Sequence, residues 1–411
     1  MPREIYDAVV IGGGLAGSTA GLLLRQSGWH VLILEKSKPF QDKICGEYLG
    51  PAAVPFLKAL GVWEALEPET VRVHNFSVAW PQKKEISVAL SSTDRGTAIP
   101  RKRLDSFLLQ EAGRRGGEIR QERAQKISRT RGAFQVQTLN ALGEQKFYRS
   151  RIVINASGRS GIRFPKEGPT AQADSTRFGF KAHFKNVKDQ KSIRLFFFKG
   201  GYLGAVEIEE GAINLCGIAE AWRLKSKRGN FDALLGELAE ENEALSLLLQ
   251  GASPATPWLS CGPLPAGRRQ GFRDGIFSVG DAACFVEPFL GQGMTLAIAG
   301  SFVLASTLAR ISTAELSKGR LNLLGAFYEK GLKKLYGTRP PRASILKAFA
   351  SSPASAHLLW KLFARFPAFL QVLVRTTNRL SFPVPLPFKD SENFLEKTAP
   401  GGESPIALGL K

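Results

Sequence analysis

The sequence predicts an α/β chain in which a parallel βαβ half is interleaved with a mostly antiparallel β-sheet and followed by a helical C-terminal extension. Three observations predict it. A glycine-rich turn joins an apolar strand to an apolar helix near the N-terminus. Short alternating segments crowd residues 71–98 and 166–265. From Lys330 to Lys389 there are eleven Lys or Arg and no Asp or Glu.

The first element is YDAVVI (6–11), a buried-strand pattern that runs directly into GGGLAGSTAGLLLRQSG. Gly12, Gly14 and Gly17 fit G-x-G-x-x-G. Gly12 permits the tight turn, Gly14 lets backbone approach a pyrophosphate, and Gly17 lets the helix pack on the strand. The helix N-terminus then faces the phosphate charge. Gly28 closes the helix, and WHVLILE supplies a second apolar strand ending on Glu35, where a carboxylate can accept hydrogen bonds from a ribose diol. An acid here disfavours a 2′-phosphate. Glycine turns alone are common; strand, fingerprint, helix, strand and acid in register predict an ADP-binding unit.

Repeated βα units would then mark a dehydrogenase, but this chain changes period. Ile86, Val88 and Leu90 alternate onto one face, as do Phe178, Phe180, Ala182 and Phe184. An amphipathic helix over 101–115 interrupts the strands. The expected division is a discontinuous nucleotide domain (1–70, 99–165 and 266–330), a substrate domain (71–98 and 166–265), a basic helical region (331–389) and a flexible tail (390–411).

Composition narrows the class. Hydrophobic content of 44% with 22% charged residues describes a globular chain. Cys45, Cys216, Cys261 and Cys284 form no C-x-x-C pair, which argues for reduced cytosolic thiols and against a zinc site. Only four histidines are present, and no metal is expected. No stretch reads as a secretory leader, and the apolar run 294–311 reads as a buried helix because Thr and Ser interrupt it. The expected location is cytoplasmic, with peripheral attachment to the inner face of the membrane as its extension.

Three further stretches carry a family resemblance. IPRKRLDSFLLQ (99–110), VINASGRSGIRF (153–164) and DGIFSVGDAACFVEPFLGQGM (274–294) resemble motifs of FAD-dependent oxidoreductases with the para-hydroxybenzoate hydroxylase-like fold. The resemblance implies a Rossmann-type FAD-binding domain. It places Arg101 and Asp281 on the cofactor, Asp281 at the ribityl hydroxyls, and the backbone of Gly291, Gln292, Gly293 and Met294 along the flavin's pyrimidine edge. Leu15, Ala16, Lys36 and Ala124 join Gly12, Gly14, Gly17 and Glu35 in the implied cofactor-binding set. Ser157-Gly158 stands where the family has Asp-Gly, and Thr295 where ubiquinone-pathway hydroxylases have Asn.

Within that fold, KICGEYLGPAAVPFLKALGV (43–62) resembles the geranylgeranyl reductase and flavin-dependent monooxygenase (halogenase) branch, which implies Cys45 and Glu47 as candidate catalytic residues on the substrate side of the flavin. The aromatic signatures of prenyl reductases and halogenases are absent after Gly201-Tyr202. The favoured expectation is a monooxygenase that hydroxylates an apolar polyketide- or isoprenoid-like substrate with oxygen activated on FAD. The alternatives are a reductase of carbon–carbon double bonds and a non-catalytic electron-transfer flavoprotein at a membrane. No second nucleotide fingerprint is present, so NAD(P)H or a reduced carrier is expected to donate electrons transiently.

The chain has 56 basic and 36 acidic residues, a net +20, which favours anionic partners. In HLLWKLFARFPAFLQVLV, Leu359, Leu362, Phe363 and Phe366 share one helical face while Lys361 and Arg365 lie opposite. Two readings follow: a helix on an anionic membrane, and a helix capping the substrate domain. Nucleic acid is not expected, because the aromatics are not interleaved with the basic residues.

Overall fold

Val31–Leu34 is buried at every position, as a central parallel strand must be. It pairs in parallel with Tyr6–Ile11 and Glu118–Arg120, while Tyr6–Ile11 also pairs in parallel with Gln145–Asn155, and Gln145–Asn155 with Ile276–Ser278. Alternation sorts the side chains. Ala8, Val10, Val31 and Ile33 face a core shared with helices Leu15–Gln26, Arg101–Arg114 and Gly293–Leu308. Val9, Ile11, Leu32 and Leu34 face Phe134 and Val136 of an antiparallel extension. The apolar 294–311 run is the buried helix Gly293–Leu308.

The computed structural model describes residues 5–37, 41–130, 132–159, 161, 176–187, 191–264, 267–337, 353–378 and 380. The expected flexible tail, 390–411, lies outside the described residues, as do parts of the basic region.

A second sheet runs in the order Ser253–Pro254, Arg177–Lys185, Ile213–Glu220, Gly201–Glu207, Ser192–Phe198, Asn75–Ala79, Ile86–Ala89. All of its pairings along that order are antiparallel except Ser192–Phe198 with Asn75–Ala79. One face packs Phe180, Ala182 and Phe184 against helices Phe231–Glu241 and Glu243–Leu249. On the other, Val78, Trp80 and Phe197 meet Phe363 and Leu370 from the final helices, Pro353–Arg365 and Pro367–Asn378. The Trp360 indole N–H donates to the Lys84 carbonyl at 3.1 Å, and Gln371 Nε2 to that of Ala89 at 3.1 Å.

This helix pair caps the sheet, and the structure corrects the stripe read from its sequence. Phe363 is buried and Leu359 half-buried against the sheet, whereas Leu362 and Phe366 are exposed. The helix rests on one edge of its apolar stripe because Pro367 starts a second helix there, and the pair bends by 107°. Among the described residues no single helix is long and apolar enough to cross a membrane; the bent pair passes that test by length and composition only.

Candidate active site

The glycine turn folds as its spacing predicts, and each glycine has its own reason. Gly12 has φ 109°, and a Cβ there would collide with the Ala156 carbonyl. A Cβ on Gly17 would strike the Gly12 carbonyl. Gly14 differs: its φ is −76°, and a Cβ would meet only Lys43 Nζ at 3.4 Å and Asp105 Oδ2 at 3.8 Å. Leu15 and Ala16 open the helix and are buried. Glu35 leaves the second strand and accepts from the Gly13 N–H at 2.7 Å and the Ser37 N–H at 2.9 Å, one oxygen each. Lys36 is exposed beside it, and Ala124 is half-buried in the strand Glu122–Thr130.

Over this turn sits a charged knot. Arg101 donates to both Asp105 oxygens at 2.9 Å, and Lys43 Nζ reaches Asp105 Oδ2 at 2.6 Å. Burial pushes the Asp105 carboxyl up, but the Arg101 and Lys43 charges outweigh it and hold the group below its ordinary value. Lys43 was not singled out, although it opens the 43–62 motif; its place above Gly14 depends on how that loop folds back over the turn.

The Gly-Asp motif arrives from the strand Ile276–Ser278. A Cβ on Gly280, φ 61°, would press on Ala16, so the motif packs against the first helix. Asp281 is half-buried, and burial raises its pKa against the opposing charges of Arg101, Arg159 and Arg269. Gly158 keeps a left-handed φ of 74° in the Ser157-Gly158 turn. Gly291 is left-handed at φ 63°, Gln292 caps the helix, and Gly293 and Met294 begin it. Gln292 Nε2 donates to the Thr377 carbonyl, tying this motif to the capping helices.

Between that motif, the second sheet and the capping pair lies an apolar cavity of about 150 Å³. Gly46, Tyr48 and Gly291 form its inner end, and Phe363, Leu370 and Val374 close it from the capping side. Tyr202 and Cys216 line it. The Tyr202 hydroxyl is buried with no hydrogen-bond partner among the described residues. Burial raises the pKa of both groups well above their ordinary values, so each keeps its proton at neutral pH.

Cys45 and Glu47, the expected catalytic residues, flank Gly46. Neither lines the cavity, although Gly46 and Tyr48 do. Cys45 Sγ accepts from the Glu47 N–H at 3.4 Å. Glu47, at φ 55°, turns a fully buried carboxylate the other way. Its Oε1 accepts from Lys181 Nζ at 2.6 Å and the Arg101 N–H at 2.8 Å, and its Oε2 lies 2.8 Å from His183 Nε2. Both oxygens accept from protein partners, so Glu47 ties its loop to the second sheet. Lys181 and His183 alternate with Phe180, Ala182 and Phe184, so the strand offers its polar face to Glu47. Asp42, Glu47 and His183 bring three ligand atoms within 4.8 Å of one another, but Lys181 already supplies a cation's charge there.

Residues 5–199 match the model of a family described as an FAD binding domain. The digeranylgeranylglycerophospholipid reductase of Methanococcus vannielii is 26% identical over 305 residues, 72% of this chain and 75% of that protein. The chain belongs to the FAD-dependent oxidoreductase family. This flavoprotein is also 23% identical to the 1H-pyrrole-2-carbonyl-[peptidyl-carrier protein] chlorinase of Pseudomonas fluorescens, over 82% of its own length and 83% of the chlorinase. Among solved structures, a geranylgeranyl bacteriochlorophyll reductase-like protein from Thermoplasma acidophilum superposes with a TM-score of 0.71 at 18% identity, covering 93% of the flavoprotein and 94% of that chain. That likeness speaks to the fold.

Proposed function

We propose that this flavoprotein reduces carbon–carbon double bonds in an apolar, isoprenoid-like substrate, of which one segment is held in the cavity beneath the capping helices. The observation that carries this reading is the Tyr202 hydroxyl, a buried proton donor without a partner among the described residues, on a side chain that lines a mostly apolar cavity. An unsatisfied buried hydroxyl is costly, and its retention is explained when a ligand meets it. Saturating a double bond needs hydride on one carbon and a proton on its neighbour, and in this reading Tyr202 supplies the proton.

The cofactor fits the residues present. A Cβ on Gly14 would meet no backbone, only Lys43 Nζ and Asp105 Oδ2, which leaves room for a pyrophosphate with the Lys43 ammonium beside it. Glu35 would hold the ribose and Asp281 the ribityl chain, relieving with hydroxyl donors the burial that now raises its pKa. The Gly291–Met294 backbone and its helix N-terminus would face the flavin's pyrimidine edge. When bound there, FAD supplies the hydride chemistry. The chain's own part is to exclude water, to align the substrate along Phe76, Trp80, Phe197 and Phe363, and to hold the proton at Tyr202 Oη. NAD(P)H or a reduced carrier is proposed as the electron source.

Relatives named as reductases of an isoprenoid lipid span about three-quarters of the chain and support this reading. Oxygen insertion stands second, supported by the likeness to the chlorinase. The two separate in one assay. Chemically reduced protein mixed with geranylgeranyl lipids under strict anaerobiosis is expected to yield product heavier by two hydrogens per double bond. A product that forms only with oxygen, heavier by one oxygen atom, would overturn the reductase reading.

A further inference from the structure

The capping helices have two apolar faces, and only the inner one is used. Leu358 is 68% exposed, Leu362 37%, Phe366 49%, Phe369 53% and Val372 56%. Leu358 and Leu362 are one turn apart, and the Phe366 and Phe369 rings meet edge-on at 6.0 Å across the bend. The five therefore form one strip over the outside of the pair, with the phenylalanines at its apex. Contiguous exposed apolar surface of this kind marks an interaction site. The pair itself carries one sign of charge. From 353 to 378 the basic residues are Lys361, Arg365 and Arg375, and there is no Asp or Glu. Arg365 stacks over Phe366 at 5.3 Å, and Lys83 over Trp360 at 5.3 Å.

We propose that this outer face docks on an anionic lipid bilayer. Apolar side chains at the apex of a bent pair, flanked by cations, match the two layers of a membrane interface: acyl chain below, acidic headgroup above. The pair lies in that interface without crossing it, because Phe363, Leu370 and Val374 on its inner face are occupied by the cavity. Docking would set the cavity's capping wall against the phase in which an apolar chain is dissolved. The proposal rests on the surface, not on the reaction, so its test uses no turnover.

The full-length protein is sedimented with vesicles of phosphatidylcholine alone and of phosphatidylcholine with phosphatidylglycerol. Binding is expected to the anionic vesicles and to weaken with salt. A chain of net +20 can adhere to anionic lipid through charge alone, so the deciding variant changes no charge. Phe366→Ser with Phe369→Ser is expected to lower affinity roughly tenfold or more. Both side chains are exposed, and melting temperature and flavin content should stay at wild-type values. Lys361→Glu with Arg365→Glu should weaken anionic binding by about tenfold or more. Equal binding by the serine variant and the wild type would overturn the proposal, as would absence of binding to either vesicle. Dimerisation that the serine variant abolishes, in place of vesicle binding, would assign the face to a second copy of the chain and equally overturn it.

Discussion

Methionine in place of Lys181 is expected to destabilise the protein by about 3–5 kcal/mol, the cost of leaving a buried charge without its partner. The Lys181 and Glu47 side chains are 1% and 0% exposed, so solvent does not screen their 2.6 Å contact. Methionine fills a similar volume but leaves the Glu47 carboxylate with the His183 ring and one backbone N–H. The pH dependence follows. Burial pushes the Glu47 carboxyl up, but the His183 hydrogen bond and the Lys181 charge outweigh it and hold the folded pKa below 4.5. A depressed carboxylate stabilises the folded state above its unfolded pKa, and that contribution is lost as pH falls through the folded value. Wild-type stability should therefore drop on acidification below about pH 4.5, and the methionine variant should respond less there. Denaturant melts at several pH values check both points. Adding Glu47→Gln to the variant should recover part of the loss, since the stranded charge is gone; a double variant as damaged as the two singles combined would deny the coupling.

Phenylalanine in place of Tyr202 is expected to lower turnover by roughly 10²- to 10⁴-fold, the range over which a positioned general acid contributes. Stability should move the other way or not at all. The hydroxyl has no partner among the described residues, so its removal breaks no bond and deletes a buried polar group. Lost turnover with unchanged melting and flavin content identifies a reacting group. Wild-type turnover in the variant would shift the proton to the Cys216 thiol or the Tyr48 hydroxyl, whose residues also line the cavity.

How far the sequence foretold this depends on whether the physics was local. Gly12, Gly14, Gly17 and Glu35 could be placed because strand, turn and helix are set by neighbouring residues, and the antiparallel strands because side chains alternate with period two. Arg101 with Asp105 is an i,i+4 pair and belongs to the same class. The Glu47 latch could not be read: its partners Lys181 and His183 are 134 and 136 positions away, and only sheet register brings them together. The resemblance of its loop marked Glu47 as a catalytic candidate, but nothing local announced the left-handed backbone there or the contacts with Lys181 and His183. The capping helices failed in a different manner. Their amphipathicity was visible, but whether a stripe faces sheet or solvent depends on how the helix rests, which Pro367 and the sheet decide together.

The most direct measurement is the flavin content of purified Gly14→Val. Gly14 has an ordinary φ, and its Cβ would have space, so the chain should fold and melt like wild-type protein stripped of its flavin, unlike variants of Gly12 or Gly17. The branched side chain would nevertheless occupy the place assigned to the pyrophosphate beside Lys43. A folded, colourless protein is the predicted result. A folded Gly14→Val protein that retains full yellow FAD occupancy would contradict the account.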